Sequence, residues 1–258
     1  MAISPRLSLA RRTAGELRRR EGRNLVAVGV YGSVARGTDR DFSDIDLCVV
    51  VRRKRAWIQP MFRDGVLVTP SQMSRREARD EVTGSGPWLC EKLGGWRSMR
   101  PLHDPVRFLA RLVARAHRPT AAQFRSSARK DLIAMYEDYG KVLNAVAAGD
   151  AEDAREMSLW FTGVAGSALL DVERRAILSD HDMVREIRRS GAVGRDLIRL
   201  RYRSLSVRET GRLAARIWTG LVNGAVEQGV RLPPELTRSA RGGPSRGRSA
   251  PSRSRGAE

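Results

Sequence analysis

The sequence predicts an α/β domain over about the first hundred residues, followed by an all-α domain. Three observations predict it. Short apolar runs rich in β-branched residues, Leu25 to Tyr31 and Ile45 to Val51, lie in the first fifth of the chain. After about residue 104 they give way to long segments whose apolar residues recur at three- and four-residue steps. The 258 residues, 41% of them hydrophobic, can fill the interiors of one or two domains.

Residues 5–22 place Leu7, Leu9, Ala10, Ala14 and Leu17 among arginines, the spacing of an amphipathic helix that Gly22 ends. Leu25 to Tyr31 reads as a buried strand, Gly32-Ser33 as a tight turn into a short helix, and Ile45 to Val51 as a second buried strand. A third strand is expected at 65–68, then a polar helix over 71–82 capped by Ser71 or Ser74. The domain boundary falls within 101–119. Beyond it, Phe124, Ala128, Leu132, Met135, Tyr139, Val142 and Val146 form one stripe and predict a single helix over 120–149. Further helices are expected over 151–178, 181–190, 193–203 and 206–228, with Gly229 and Pro233-Pro234 closing the last. The domains are thus 1–104 and 105–237. The segment 238–258, rich in Ser, Arg, Gly and Pro, reads as a disordered basic tail, because it cannot bury enough apolar surface to order itself.

Composition narrows the chemistry. The chain carries 48 Lys and Arg against 29 Asp and Glu, a net charge of +19, which bears on partners rather than on fold. The Arg-rich tail offers nonspecific contact with nucleic acid, a reading not favoured over simple solubility. Cys48 and Cys90 form neither a disulfide framework nor a metal-binding spacing, and His103, His117 and His181 are dispersed, so nothing suggests zinc. No apolar stretch approaches the ~20 residues of a membrane span. The start of the chain lacks the apolar core of a signal peptide, and the expected address is the cytoplasm.

The informative stretch runs from Val30 to Leu47. A strand ends at Tyr31, and Gly32-Ser33 turns into a short helix whose first N–H groups are unpaired, a geometry that binds phosphate oxygens. Ser33 adds a hydroxyl, and Arg36, one turn on, a planar fork of donors. Asp44 and Asp46, one residue apart at the start of a strand, project from the same face. Two such carboxylates repel unless a cation lies between them, and Mg²⁺ suits oxygen ligands shared with substrate phosphates. A phosphate cradle facing a carboxylate pair is what nucleotide phosphoryl chemistry requires.

With Gly32-Ser33 followed by Asp44-x-Asp46, the chain resembles the nucleotidyltransferase superfamily typified by DNA polymerase beta. It looks closest to the kanamycin nucleotidyltransferase type of aminoglycoside-modifying enzyme. Weaker similarity continues through Pro101-Leu102-His103-Asp104, Glu137-Asp138-Tyr139-Gly140-Lys141, Ala165-Gly166-Ser167-Ala168 and Arg174-Arg175. The resemblance implies a small mixed sheet with helices, then a helical bundle. It implies transfer of a nucleoside monophosphate from Mg·NTP, ATP being the expected nucleotide, to a hydroxyl of a small-molecule acceptor such as an aminoglycoside, with release of pyrophosphate. Gly32, Ser33 and Arg36 would hold the triphosphate, Asp44 and Asp46 the metal, Glu137 would act as base and Lys141 would meet the α-phosphate. It also suggests a homodimer sharing the cleft. A third family carboxylate is replaced by Leu67, which favours as a rival a catalytically weak nucleotide-binding regulator. The basic charge prompts a second rival, an enzyme acting on RNA or protein. For a cationic acceptor, the candidate acids are Glu152, Asp153, Glu156, Asp171 and Glu173.

Overall fold

The computed structural model describes residues 4–84 and 86–242. Helix α1 (Pro5–Glu21), capped by Ser4, leads into β1 (Leu25–Tyr31), the five-residue α2 (Gly32–Arg36) and β2 (Ile45–Val51). Then follow β3 (Met61–Arg63), β4 (Val66–Ser74), α3 (Arg75–Thr83), α4 (Leu89–Ser98), β5 (Arg100–His103) and α5 (Phe108–Ala116). Among the described residues the five strands form one mixed sheet in the order β3-β4-β2-β1-β5, with β2 and β4 parallel and the other pairs antiparallel.

Alternation along β2 explains how the sheet is buried on both faces. Ile45, Leu47, Val49 and Val51 pack with Leu9, Ala14 and Leu17 of α1, whereas Cys48 and Val50 pack with Ala78 and Val82 of α3, Leu93 of α4 and Leu109 of α5. Asp46 therefore belongs to the face covered by α3, α4 and α5. Helix α5 contributes Phe108, Leu109 and Leu112 to that core, so the sheet's covering layer runs past the boundary expected at residue 104. The Pro101-Leu102-His103 segment is the edge strand β5, and Asp104 caps α5 by accepting the N–H groups of Phe108 (2.6 Å) and Ala110 (2.9 Å).

The remaining helices, α6 (Ala121–Ala134), α7 (Tyr136–Ala148), α8 (Ala151–Val172), α9 (Asp180–Arg188), α10 (Gly191–Tyr202), α11 (Val207–Glu227) and α12 (Pro234–Gly242), form a bundle around Trp218, on which Tyr139 stacks at 5.0 Å. The single helix expected over 120–149 is two, broken at Met135; the apolar stripe continues across the break, so its period carries no sign of it. Helix α8 ends at Val172, short of 178, and the chain then passes beside α4.

Two further expectations change. The third strand extends to Ser74, and Pro70 is tolerated because β3 pairs with β4 only from Val66 to Val68, leaving Pro70 with β2 as its sole strand neighbour. The polar residues 71–74 belong to this strand, and α3 starts at Arg75 with a capping box between Ser74 and Glu77. At the other end, residues 238–242 of the expected tail are helical. Leu236 and Ala240 of α12 enter the bundle core, and Ser239 Oγ accepts the Trp218 indole N–H at 3.0 Å. The rest of that tail, 243–258, lies outside the described residues.

Candidate functional site

The turn after β1 depends on glycine. Gly32 has φ +72°, and a Cβ there would lie 2.4 Å from Asp46 Oδ2. Only hydrogen lets the Gly32-Ser33 turn close onto that carboxylate. Strand register completes the arrangement, since Tyr31 pairs with Asp46 and Asp46 with Thr69. Thr69 Oγ1 donates to Asp44 Oδ2 at 3.4 Å. The structure thus brings together Gly32, Ser33, Asp44, Asp46 and Thr69, with both carboxylates half-buried.

The loop between turn and carboxylates is held from α1. Arg6 Nε donates to the Ser43 carbonyl at 2.9 Å and its terminal nitrogen to the Asp41 carbonyl, and Ser4 Oγ donates to Asp39 at 3.2 Å. Tethering at both ends of Asp39–Ser43 fixes the approach to Asp44.

Sequence reasoning missed Thr69. Its signal was parity with Leu67 on a strand that was expected to stop one residue earlier. Where a third carboxylate was expected, the row beside Asp46 presents a hydroxyl, and Asp64 stands apart in a turn at φ +49°, paired with Arg12 at 2.5 Å. Among the described residues no group of three or more His, Cys, Asp or Glu is placed to hold a metal. Two carboxylates and a hydroxyl, all hard oxygen donors, nonetheless fit Mg²⁺, which is commonly held by one or two carboxylates and completed by substrate phosphates. Gly32, packed against Asp46, places the Gly32-Ser33 turn next to that donor set, and the Gly32 N–H, expected to be unpaired, donates to Ser98 Oγ at 3.4 Å.

Behind the carboxylates, on the same face, a cavity of about 220 Å³ lies between the sheet and α4. Tyr31, Cys48 and Ser71 form part of its floor and Trp96 part of its roof. The Tyr31 hydroxyl and Ser71 Oγ are 3.2 Å apart. Burial raises the Tyr31 phenol, and the charge of Asp46 adds to the rise. Burial likewise pushes the Cys48 thiol up to about 12, so it remains a neutral thiol rather than a nucleophile.

Other expected site residues lie elsewhere. Arg36 donates from Nη1 to the Leu178 carbonyl at 2.7 Å, tying α2 to the segment after α8 instead of offering its fork to the turn. Glu137 and Lys141 pair with each other at 2.9 Å on an exposed face of α7, whose main packing partners are α6, α8 and α11. Lys141 holds the Glu137 carboxyl below the usual carboxylate range. Of the acids considered for a cationic acceptor, Glu173 pairs with Arg175 at 2.8 Å, and the N–H groups of Glu152 and Asp153 are capped by Asp150.

Asp171 has a structural task. Its two oxygens accept the N–H groups of Leu89 (3.0 Å) and Cys90 (2.7 Å) at the start of α4, and Ser127 Oγ donates to it at 2.6 Å. Asp131 accepts the N–H of Trp88 at 2.9 Å, while its other oxygen is buried with no donor. Desolvation, with the Asp171 carboxylate beside it, pushes Asp131 up to about 9, so Asp131 keeps a proton and shares it with Asp171. Two bundle helices thereby grip the N-terminus of a helix that roofs the sheet.

Residues 10–84, from α1 through α3, match the family model described as a nucleotidyltransferase domain. The same span contains Gly32, Ser33, Asp44, Asp46 and Thr69. No curated protein matches the chain. Among solved structures, a nucleotidyltransferase-like protein from Exiguobacterium sibiricum is similar over 86% of this chain and 77% of its own, with a TM-score of 0.58 and 11% sequence identity. That likeness concerns the fold and extends from the sheet into the bundle. No described helix is long and apolar enough to cross a membrane. The chain thus carries a nucleotidyltransferase domain on a mixed sheet, followed by a mostly helical region.

Proposed function

We propose that the protein transfers a nucleoside monophosphate from Mg·NTP, ATP being the first nucleotide to test, to a hydroxyl of a small-molecule acceptor, with release of pyrophosphate. The observation that carries this reading is the packing of Gly32 against Asp46 in a row completed by Asp44 and Thr69. Asp44 and Asp46 would hold Mg²⁺, whose role is to neutralise charge on the phosphate oxygens. The backbone at Gly32 and Ser33, with the Ser33 hydroxyl, receives the β- and γ-phosphates. Thr69 orients Asp44 through its hydrogen bond. Arg36 serves indirectly, by fixing α2 against Leu178.

Glu137 is the proposed base toward the acceptor hydroxyl, with Lys141 reaching the α-phosphate. Their support is the family resemblance and their shared helical face. Because α7 packs within the bundle, the acceptor must span from sheet to bundle, or a second copy must supply the pair; the expected homodimer meets the latter requirement. An aminoglycoside is the acceptor class to try first. A broad groove of about 670 Å³ beyond β4, lined in part by Glu77 and Asp80, offers negative charge to a cation. Lys54 neutralises part of it through its bond to Glu77 at 2.6 Å.

Labelled-nucleotide transfer to an aminoglycoside panel, read as mass gain, tests the reading. Asp44→Asn with Asp46→Asn should lower turnover roughly 10³-fold or more, as expected when the groups that stabilise transferring phosphate are lost. Glu137→Gln should lower kcat by ~10²-fold or more if it is the base. Unchanged transfer in the double variant would refute the metal role. Unchanged kcat in Glu137→Gln would refute only the base.

A further inference from the structure

The cavity between the sheet and α4 has the position, size and lining of a compartment for one flat ring. It begins one row along the strands from Asp46, because Cys48 and Ser71, paired with each other, follow Asp46 and Thr69 on the same face. At about 220 Å³ it is smaller than the ~300 Å³ at which pockets for drug-sized molecules begin, so it suits a single ring system rather than a whole nucleotide. Its lining is mostly apolar, with Met73 and Met99 among the walls and Trp96 in the roof.

Besides the Tyr31 and Ser71 hydroxyls, Glu81, Glu91 and Lys92 line the cavity; Glu91 accepts the Ser167 hydroxyl, and Glu81 is the group placed to discriminate. Glu81 of α3 accepts the Trp96 indole N–H at 3.0 Å, which fixes the carboxylate at the cavity wall. Glu81 lines the same cavity as Tyr31 and Cys48 on the floor, so its carboxylate borders the space a ring would occupy. An ionised carboxylate only accepts hydrogen bonds, which makes an amino group on a ring a partner and a ring carbonyl a repulsive neighbour. On α4, Gly95 leaves room at the wall: an added Cβ would meet only Tyr31, at 3.7 Å.

We propose that this cavity receives the base of the nucleoside triphosphate and, through Glu81, favours bases bearing an exocyclic amino group over uracil. The inference rests on the nucleotidyl-transfer reading and specifies its nucleotide selectivity. Cytosine and uracil make the cleanest comparison, since they are equal in size and differ at the amino and keto groups.

The test measures equilibrium binding of CTP, UTP and inorganic tripolyphosphate to the full chain in Mg²⁺, with Glu81→Gln and Gly95→Leu alongside. A hydrogen bond gained against an ionised group in a desolvated site predicts CTP binding ~10–100-fold tighter than UTP. Glutamine keeps the Trp96 bond through its carbonyl and turns its NH2, a donor only, toward the ring, which favours a ring carbonyl over an amino group, so Glu81→Gln should bring the CTP to UTP ratio below about threefold. Gly95→Leu fills the cavity and should weaken CTP at least tenfold, while tripolyphosphate, which has no base, binds wild type and both variants alike. Equal affinities for CTP and UTP in the wild type, or a ratio untouched by Glu81→Gln, would overturn the proposal. So would a Gly95→Leu variant that binds CTP normally but shows a raised KM for the acceptor, since the cavity would then hold the acceptor. If tripolyphosphate and both nucleotides fail to bind, the nucleotidyl-transfer reading itself is lost and the base compartment with it. If tripolyphosphate binds and the bases are not told apart, only the base compartment is lost.

Discussion

The chain contains two aspartate pairs that meet the repulsion between close carboxylates in opposite ways. Asp44 and Asp46 stand half-buried at the start of β2, beside a glycine turn and a threonine hydroxyl. Asp131 and Asp171 are 2% and 1% exposed, and the repulsion between them is relieved by a retained proton, by Ser127 and by three backbone N–H groups around the start of α4. Burial decides which solution is available. In the interior an uncompensated charge is too costly, so internal donors and a shared proton compensate the pair at neutral pH. At the half-open strand end water and an incoming ligand can reach the carboxylates, so the proposed cation is one way to offset their repulsion. The interior pair stabilises the fold; the pair at the strand end leaves its carboxylates where the proposed metal would meet them.

The comparison predicts that substitutions in the interior pair cost stability. Asp171→Ala removes the acceptor for two α4 amides and for Ser127, and should destabilise the chain by ~3–5 kcal/mol, as when one partner of a buried charged network is deleted. Urea unfolding measures it, and a loss under about 1 kcal/mol would mean that α4 is held by apolar packing alone. Next comes Gly32→Ala. Its φ of +72° and the clash with Asp46 Oδ2 should cost roughly 1–3 kcal/mol. Because the displaced group is the site carboxylate, nucleotide transfer should fall far more than stability does.

The proton on Asp131 gives a signed pH dependence. Its folded pKa, about 9, lies above the ordinary aspartate value of 3.8, so the folded state binds the extra proton throughout that window. Stability from this group is complete below the lower value and declines as pH rises toward the upper, at up to ~1.4 kcal/mol per pH unit for one proton. Asp131→Asn carries no titrating group and should flatten the decline between pH 6 and 8. Unfolding curves at several pH values that keep the wild-type slope in this variant would assign the proton elsewhere.

The sequence made one pair legible and concealed the other, for a physical reason. Asp44 and Asp46 sit in a local unit of strand, turn and strand whose apolar runs and glycine are contiguous, and sequence periodicity reads local units well. Asp131 and Asp171 are 40 residues apart, and each lies in a helix whose period is carried by its apolar neighbours. Nothing local marks Asp171 as the cap of α4, whose own first residue follows Trp88 in the left-handed region and lacks a side-chain cap on its own segment. The same limit explains Thr69. Pro70 and the polar residues after it read as the end of a strand, and only pairing with β2 shows that the strand continues. Arg36 and Glu137 show the same limit: the role expected of Arg36 came from its place one turn after Gly32-Ser33 and that of Glu137 from the family resemblance, while the contacts of Arg36 with Leu178 and of Glu137 with Lys141 depend on how α2 meets the segment after α8 and on the surface of α7.

The smallest expected effect is the most discriminating. In the absence of metal and nucleotide, Asp44→Asn with Asp46→Asn should change unfolding free energy by less than ~0.5 kcal/mol, or raise it slightly, because the variant removes like charges at a half-buried strand end while each asparagine carbonyl can still accept a hydrogen bond such as that from Thr69. The wild type should gain thermal stability when Mg²⁺ and a nucleotide are added together, since a ligand that binds only the folded state stabilises it by mass action, and the double variant should lose that gain. A double variant destabilised as strongly as Asp171→Ala would place the β2 carboxylates among the structural groups and remove the physical argument for a metal between them. A neutral substitution that abolishes the ligand-induced shift would show that their charge is held in reserve for a cation.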